Sequence, residues 1–185
     1  MAAVPGGFAD PPIEAAAAFR AAMSAMARPG RIEQVGGVAP PAPLSVAAGV
    51  LVLTLCDADT PLHLAGRADS EAVRAWVAFH TGAPLVTRGA AAFALGDWDA
   101  LLPLESYPQG VPEYPDRSAT LIVETERLAA EGARLAGPGI ETEARLDLPD
   151  PEAVRANHAA FPLGLDFFFT CGDRLAALPR STRVL

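Results

Sequence analysis

The stretch from Gly110 to Ile140 sets the strongest constraint on the fold. It opens with a polar segment, Gly-Val-Pro-Glu-Tyr-Pro-Asp-Arg-Ser, and passes into the apolar run Ala119-Thr-Leu-Ile-Val123. It turns at Glu131-Gly132 and returns through Ala133-Arg-Leu-Ala136 to Gly137-Pro138-Gly139-Ile140. A short apolar run bounded by turn residues predicts a strand, and the Glu-Gly turn predicts a hairpin into a second one. The glycines around Pro138 permit backbone angles and close approaches that a β-carbon blocks. The expected unit is loop, strand, hairpin, loop, with both loops opening at one end of a sheet, where a site would be built.

Helices are expected on either side of this unit. Asp10-Pro11-Pro12 starts one that runs from Ile13 to Ala27, because proline is tolerated in a first turn, and Arg28-Pro29-Gly30 stops it. Phe19, Ala22, Met23 and Met26 recur at helical spacing and are expected to face the core. Residues 31–43 read as a surface loop, and Pro43 to Cys56 as a buried helix ending at an acidic turn, Asp57 to Pro61. Leu62 to Leu64 reads as a strand. A third helix is capped by Asp69 or Ser70, runs to His80 and turns Val73, Trp76, Val77 and His80 to one side. Pro84–Thr87 and Ala91–Leu95 are strand candidates, and Trp98–Leu102 a helical turn. Thr142–Leu148 reads as a half-exposed strand, and Asp150-Pro151 starts a helix reaching His158. Phe167 to Thr170 reads as a strand buried on both faces, pairing across Gly172-Asp173 with Arg174–Leu178. Interleaved helices and short strands point to one domain over residues 1–185: α/β, a three-layer sandwich around a central mixed sheet.

Composition narrows the chemistry. All 14 basic residues are arginine. A chain without lysine cannot form a Schiff base with pyridoxal phosphate, use a nucleophilic amine or build a phosphate-loop lysine. The net charge of −8 and the scattered arginines give no phosphate-backbone footprint, so nucleic acid is not an expected partner. Half the residues, 51%, are apolar, which favours surface covered by other subunits. Two isolated cysteines, no basic and apolar leader at Met1–Gly7 and no apolar run long enough to cross a bilayer give the expectation of a cytoplasmic protein.

No metal is expected, because no Cys-x-x-Cys, His-x-x-x-His or His-Glu-x-x-His presents two ligands from one element. A serine elbow and the glycine-rich nucleotide motifs are also missing from the sequence. Arg28, Arg117 and Arg180 stand at element boundaries, where a guanidinium grips phosphate or phosphonate oxygens in bidentate fashion. Each is equally placed to tie down a loop by bonding to carbonyls or to Asp57, Asp116 or Asp166, and the need of buried carboxylates for partners favours that role.

Seven segments carry a resemblance. They are Phe19-Arg20 to Gly30, Leu53-Thr-Leu-Cys-Asp57 with Thr60, Phe79-His80-Thr81, Gly110 with Tyr114-Pro115 and Ser118-Ala-Thr120, Gly137-Pro-Gly-Ile140, Phe161-Pro-Leu-Gly164 with Asp166, and Pro179-Arg-Ser-Thr182. In order and over nearly the whole chain, this set resembles the PhnH family, whose members are components of the carbon-phosphorus lyase complex. The resemblance implies a homodimer with a fold similar to the large domain of pyridoxal-phosphate-dependent transferases but without that cofactor. It implies membership, with subunits G, I and J, of a core complex that helps to attach an alkylphosphonate to the ribose of ATP. Two roles follow: an assembly subunit lacking its own complete active site, or a ligand-binding subunit in which Arg28, Asp57, His80, Arg117, Asp166 and Arg180 converge on a nucleotide or phosphonate.

Overall fold

A computed structural model describes residues 4–185; the first three residues of the leader reading at Met1–Gly7 lie outside them. Its centre is a six-stranded sheet. From one edge to the other run β1 (Glu33–Gln34), β10 (Arg174–Leu178), β9 (Asp166–Cys171), β6 (Thr120–Glu124), β3 (Phe93–Asp97) and β2 (Leu62–Leu64). Strands β2, β3, β6 and β9 are parallel, whereas β10 and β1 add antiparallel, so the sheet is mixed.

Side chains of these strands alternate between two cores. Leu121, Val123, Phe167, Phe169, Ala176 and Leu178 enter one; Leu95, Ile122, Phe168, Leu175 and Ala177 enter the other. The second core is closed by α1 (Pro11–Ala27), α2 (Val46–Leu55) and α3 (Glu71–His80). The first is closed by α4 (Trp98–Leu101), α5 (Pro151–Ala159) and a small sheet of β11 (Arg183–Val184), β7 (Ala133–Ala136) and β8 (Ala144–Leu146). A sheet covered on both faces explains why the phenylalanine run has no polar alternation. A separate ribbon pairs β4 (Gln109–Val111) with β5 (Tyr114–Ser118).

Capping sets the helix starts. Ser45, Ser70 and Asp150 each accept a backbone N–H of the first turn of α2, α3 and α5. The expected extents of these three helices agree with the structure to within a few residues at either end.

Four expectations are corrected. The Glu131-Gly132 turn does not make a hairpin of β6 and β7: both edges of β6 are taken by parallel neighbours, and β7 pairs with β8 and β11 instead. The segment expected as a loop at 110–118 is the ribbon. In α1 the inward face is Ala18, Ala22 and Ala25, while Phe19 and Met23 are 49% and 55% exposed. Alanines let α1 approach α2 and β10 closely; of the four residues expected inside, Ala22 is buried and Met26 packs partly on the core, while Phe19 and Met23 are left outside. Pro84–Thr87 contributes one bridge, Leu85 to Leu62, and no strand.

Candidate functional site

At the amino-terminal end of the parallel strands, Asp166 opens β9 opposite Thr120 of β6, and Arg180 follows β10. The two side chains form an ion pair only 20% and 13% exposed. Arg180 gives its backbone N–H to Asp166 Oδ1 at 2.8 Å, its Nε to the same oxygen at 3.1 Å and its Nη2 to Oδ2 at 2.5 Å. Its remaining nitrogen, Nη1, donates to the Pro115 carbonyl of the ribbon at 2.5 Å. His158 Nδ1 lies 2.9 Å from the Arg180 carbonyl; a carbonyl only accepts, so Nδ1 carries the proton. Every nitrogen of this guanidinium is in use. The buried hydroxyls of Ser118 and Thr182 have no partner among the described residues.

The Gly-Pro-Gly turn is packed against two neighbouring segments. A β-carbon on Gly139, whose φ is +81°, would stand 2.0 Å from the carbonyl oxygen of Ala27, and one on Gly137 would stand 3.0 Å from that of Ser181. The end of α1, residues 137–140 and residues 179–182 therefore form one junction.

Among the described residues no hydrogen bond or ion pair joins the other four site candidates to Asp166 or Arg180. Arg28 is exposed at the end of α1. Asp57 sits in an exposed turn, where Thr60 Oγ1 and the Asp59 amide donate to its Oδ1 at 2.6 and 2.9 Å; these bonds, the hydroxyl first, hold its carboxyl below the usual range. His80 ends α3 edge-on to Phe79, with Gly7 so close that a β-carbon there would meet the ring at 2.6 Å. Arg117 is exposed and lies over the Tyr114 ring, 4.0 Å from its centroid. Among the described residues no hydrogen bond or ion pair joins these four to one another.

The carboxyl ends of the parallel strands, where open α/β sheets usually seat ligands, carry groups that the sequence reading passed over. A cleft of ≈ 490 Å³ there is lined by Ser45, Arg67, Asp97, Asp99, Glu124 and Glu126 among others. Glu124 Oε1 accepts the Ser45 N–H at 2.7 Å, at the start of α2, and Oε2 accepts the Thr170 hydroxyl at 2.9 Å. Asp97 accepts the Ala100 N–H at 3.1 Å and so caps α4. The available signal was an acid directly after an apolar run, Gly96-Asp97 and Val123-Glu124. A second cleft, of ≈ 540 Å³ and with His63, Asp69 and Arg74 in its wall, has its arginine held by Asp69 at 2.5 and 2.8 Å. No group of three or more His, Cys, Asp or Glu among the described residues is arranged to hold a metal.

The profile of the family described as "Bacterial phosphonate metabolism protein (PhnH)" matches residues 6–185. The chain belongs to the PhnH family. It is 41% identical over 188 residues to the Rhizobium meliloti (strain 1021) protein named "Alpha-D-ribose 1-methylphosphonate 5-triphosphate synthase subunit PhnH", covering 97% of this chain and 94% of that one. It is also 34% identical over 175 residues to the "Putative C-P lyase subunit protein HtxG" of Stutzerimonas stutzeri, covering 90% of this chain and 84% of the relative. In this PhnH-family chain, five of the seven segments that carry the resemblance meet at the two junctions described, Ala27–Gly139–Ser181 and Pro115–Asp166–Arg180. Among the described residues no helix is long and apolar enough to cross a membrane.

Proposed function

We propose that this chain is a subunit of a bacterial carbon-phosphorus lyase core complex, together with subunits G, I and J. There it supports formation of ribose 1-methylphosphonate 5-triphosphate from ATP and an alkylphosphonate. The observation that carries this reading is the match over nearly the whole chain to relatives that are themselves named as subunits. Its own part is assembly. Each guanidinium nitrogen of Arg180 is bonded to Asp166 or to Pro115, and Glu124 fills the start of α2, so these charged groups serve the fold. Exposed apolar side chains on α1, Ile13, Phe19 and Met23, supply surface for other chains. The reading includes a homodimer in the cytoplasm and a frame similar to that of pyridoxal-phosphate-dependent transferases, in which a lysine-free chain has no amine for the cofactor.

Tagged subunits G, I and J, co-expressed with this chain, are expected to retain it through purification. Calorimetry of the isolated chain with ATP and with methylphosphonate is expected to give no saturable heat. Saturable binding lost in a folded Arg117→Ala variant would replace the assembly role with the ligand-binding one.

A further inference from the structure

The ribbon β4–β5 is secured unevenly. Strand β5 buries none of its five residues: Tyr114, Asp116 and Arg117 are exposed, Pro115 and Ser118 half-buried. A strand with no fully buried residue has little hydrophobic reason to stay on the body, and segments of this kind open at low cost. Strand β4 is fastened at its start. Gly164 N–H donates to the Gln109 carbonyl at 2.9 Å, the Gln109 side-chain amide reaches the carbonyls of Leu104 and Tyr107 at 2.9 and 3.1 Å, and Ala119 N–H donates to the Pro108 carbonyl at 2.8 Å. For Tyr114 to Ser118, beyond pairing with β4, the bond from the rest of the described chain is the one from Arg180 Nη1 to the Pro115 carbonyl. The donor is itself immobilised by Asp166 and by His158.

We propose that Arg180 is a tether that holds ribbon β4–β5 closed on the body, and that the ribbon opens as a unit about Pro108 and Ala119 when the tether is released. The exposed Tyr114–Arg117 stack travels with it. Gly110, at φ +80° and with the Pro115 backbone 2.7 Å from where a β-carbon would sit, keeps the two strands tightly paired, so the ribbon moves without coming apart. This inference does not depend on the role in the complex.

Hydrogen exchange read by mass spectrometry on the full chain tests it. In the unaltered protein the amides of residues 111–118 are expected to exchange faster than those of β6 and β9. Arg180→Lys, which keeps the charge and loses the fork, is expected to speed the ribbon amides by about tenfold or more, the consequence of losing a charge-assisted bond, with β6 and β9 unchanged. Gly110→Ala, whose β-carbon would press on the Pro115 carbonyl that accepts the tether, is expected to speed the same amides alone. Ribbon exchange as slow in Arg180→Lys as in the unaltered protein would overturn the tether. Equal acceleration of the central strands in either variant would overturn the separate movement.

Discussion

Glu124 stands where a ligand's anion would be seated in a related architecture, and its own carboxylate takes that seat. Removing it leaves the Ser45 amide at the start of α2 without an acceptor. Glu124→Ala is expected to cost about 2 kcal/mol in urea unfolding, and Glu124→Gln, which keeps an accepting oxygen, clearly less. Cys56 gives a second prediction. Burial first, and the neighbouring Asp57 charge second, push its thiol up to about 12 from 9.0. The folded state therefore holds this proton while the unfolded chain releases it, so stability is fully present below pH 9.0 and declines as pH rises toward about 12. Urea midpoints are expected to fall between pH 8 and pH 10 (roughly one unit either side of the ordinary thiol value), and less steeply in Cys56→Ala. Tyr107, raised by burial against the opposing Arg88 charge, contributes a fall of the same sign at higher pH, beginning near its ordinary value of 10.0. The partner of Arg180 was partly legible: a loop arginine with Asp166 and carbonyls within reach was expected as a structural tie. The acids closing the strand ends were not, because an acid after an apolar run looks alike whether it caps a helix or meets solvent.

Among the elements, those defined by neighbours along the chain were the readable ones. Helix α3 announces itself through a cap, a period and a stop, α5 through its Asp150-Pro151 start, and α2 through an unbroken apolar run, all local. The pairing of β7 was not readable, because the turn at Glu131-Gly132 fits a hairpin equally well and only the parallel strands on both edges of β6 forbid it. Half of the inward face of α1 was misjudged for a similar reason: Ala22 and Met26 do turn to the core, but size favours Phe19 and Met23, whereas the spacing available between α1 and β10 admits alanine. Gly137-Pro138-Gly139 was noted for close approach, and the structure finds that approach at the end of α1. Gly139→Ala has to take a left-handed backbone and displace the Ala27 carbonyl, and is expected to cost about 3 kcal/mol in thermal or urea unfolding.

For the whole molecule, the two cores share one sheet and should not melt separately. Trp76 lies in one and Trp98 in the other, so Trp76→Phe and Trp98→Phe variants each leave a fluorescent reporter on one face of the sheet. Their urea transitions, each followed by its remaining tryptophan and by far-ultraviolet circular dichroism, are expected to coincide within a variant; two separated transitions would show layers that unfold independently. The α/β class and the mixed central sheet followed from the alternation of helices with short strands. The family followed from ordered segments whose meeting points, Ala27 with Gly139 and Arg180 with Pro115, lie more than sixty residues apart in sequence and so leave no mark on local periodicity.

The order of strands has a consequence for synthesis. Strand β6 finds one neighbour in β3, already made, but its other edge waits for residues 166–171, and β1 waits longer still for β10. During translation the nascent chain therefore carries an open, apolar sheet edge on β6 until residues 166–171 have left the ribosome, the period in which a chaperone would protect it most.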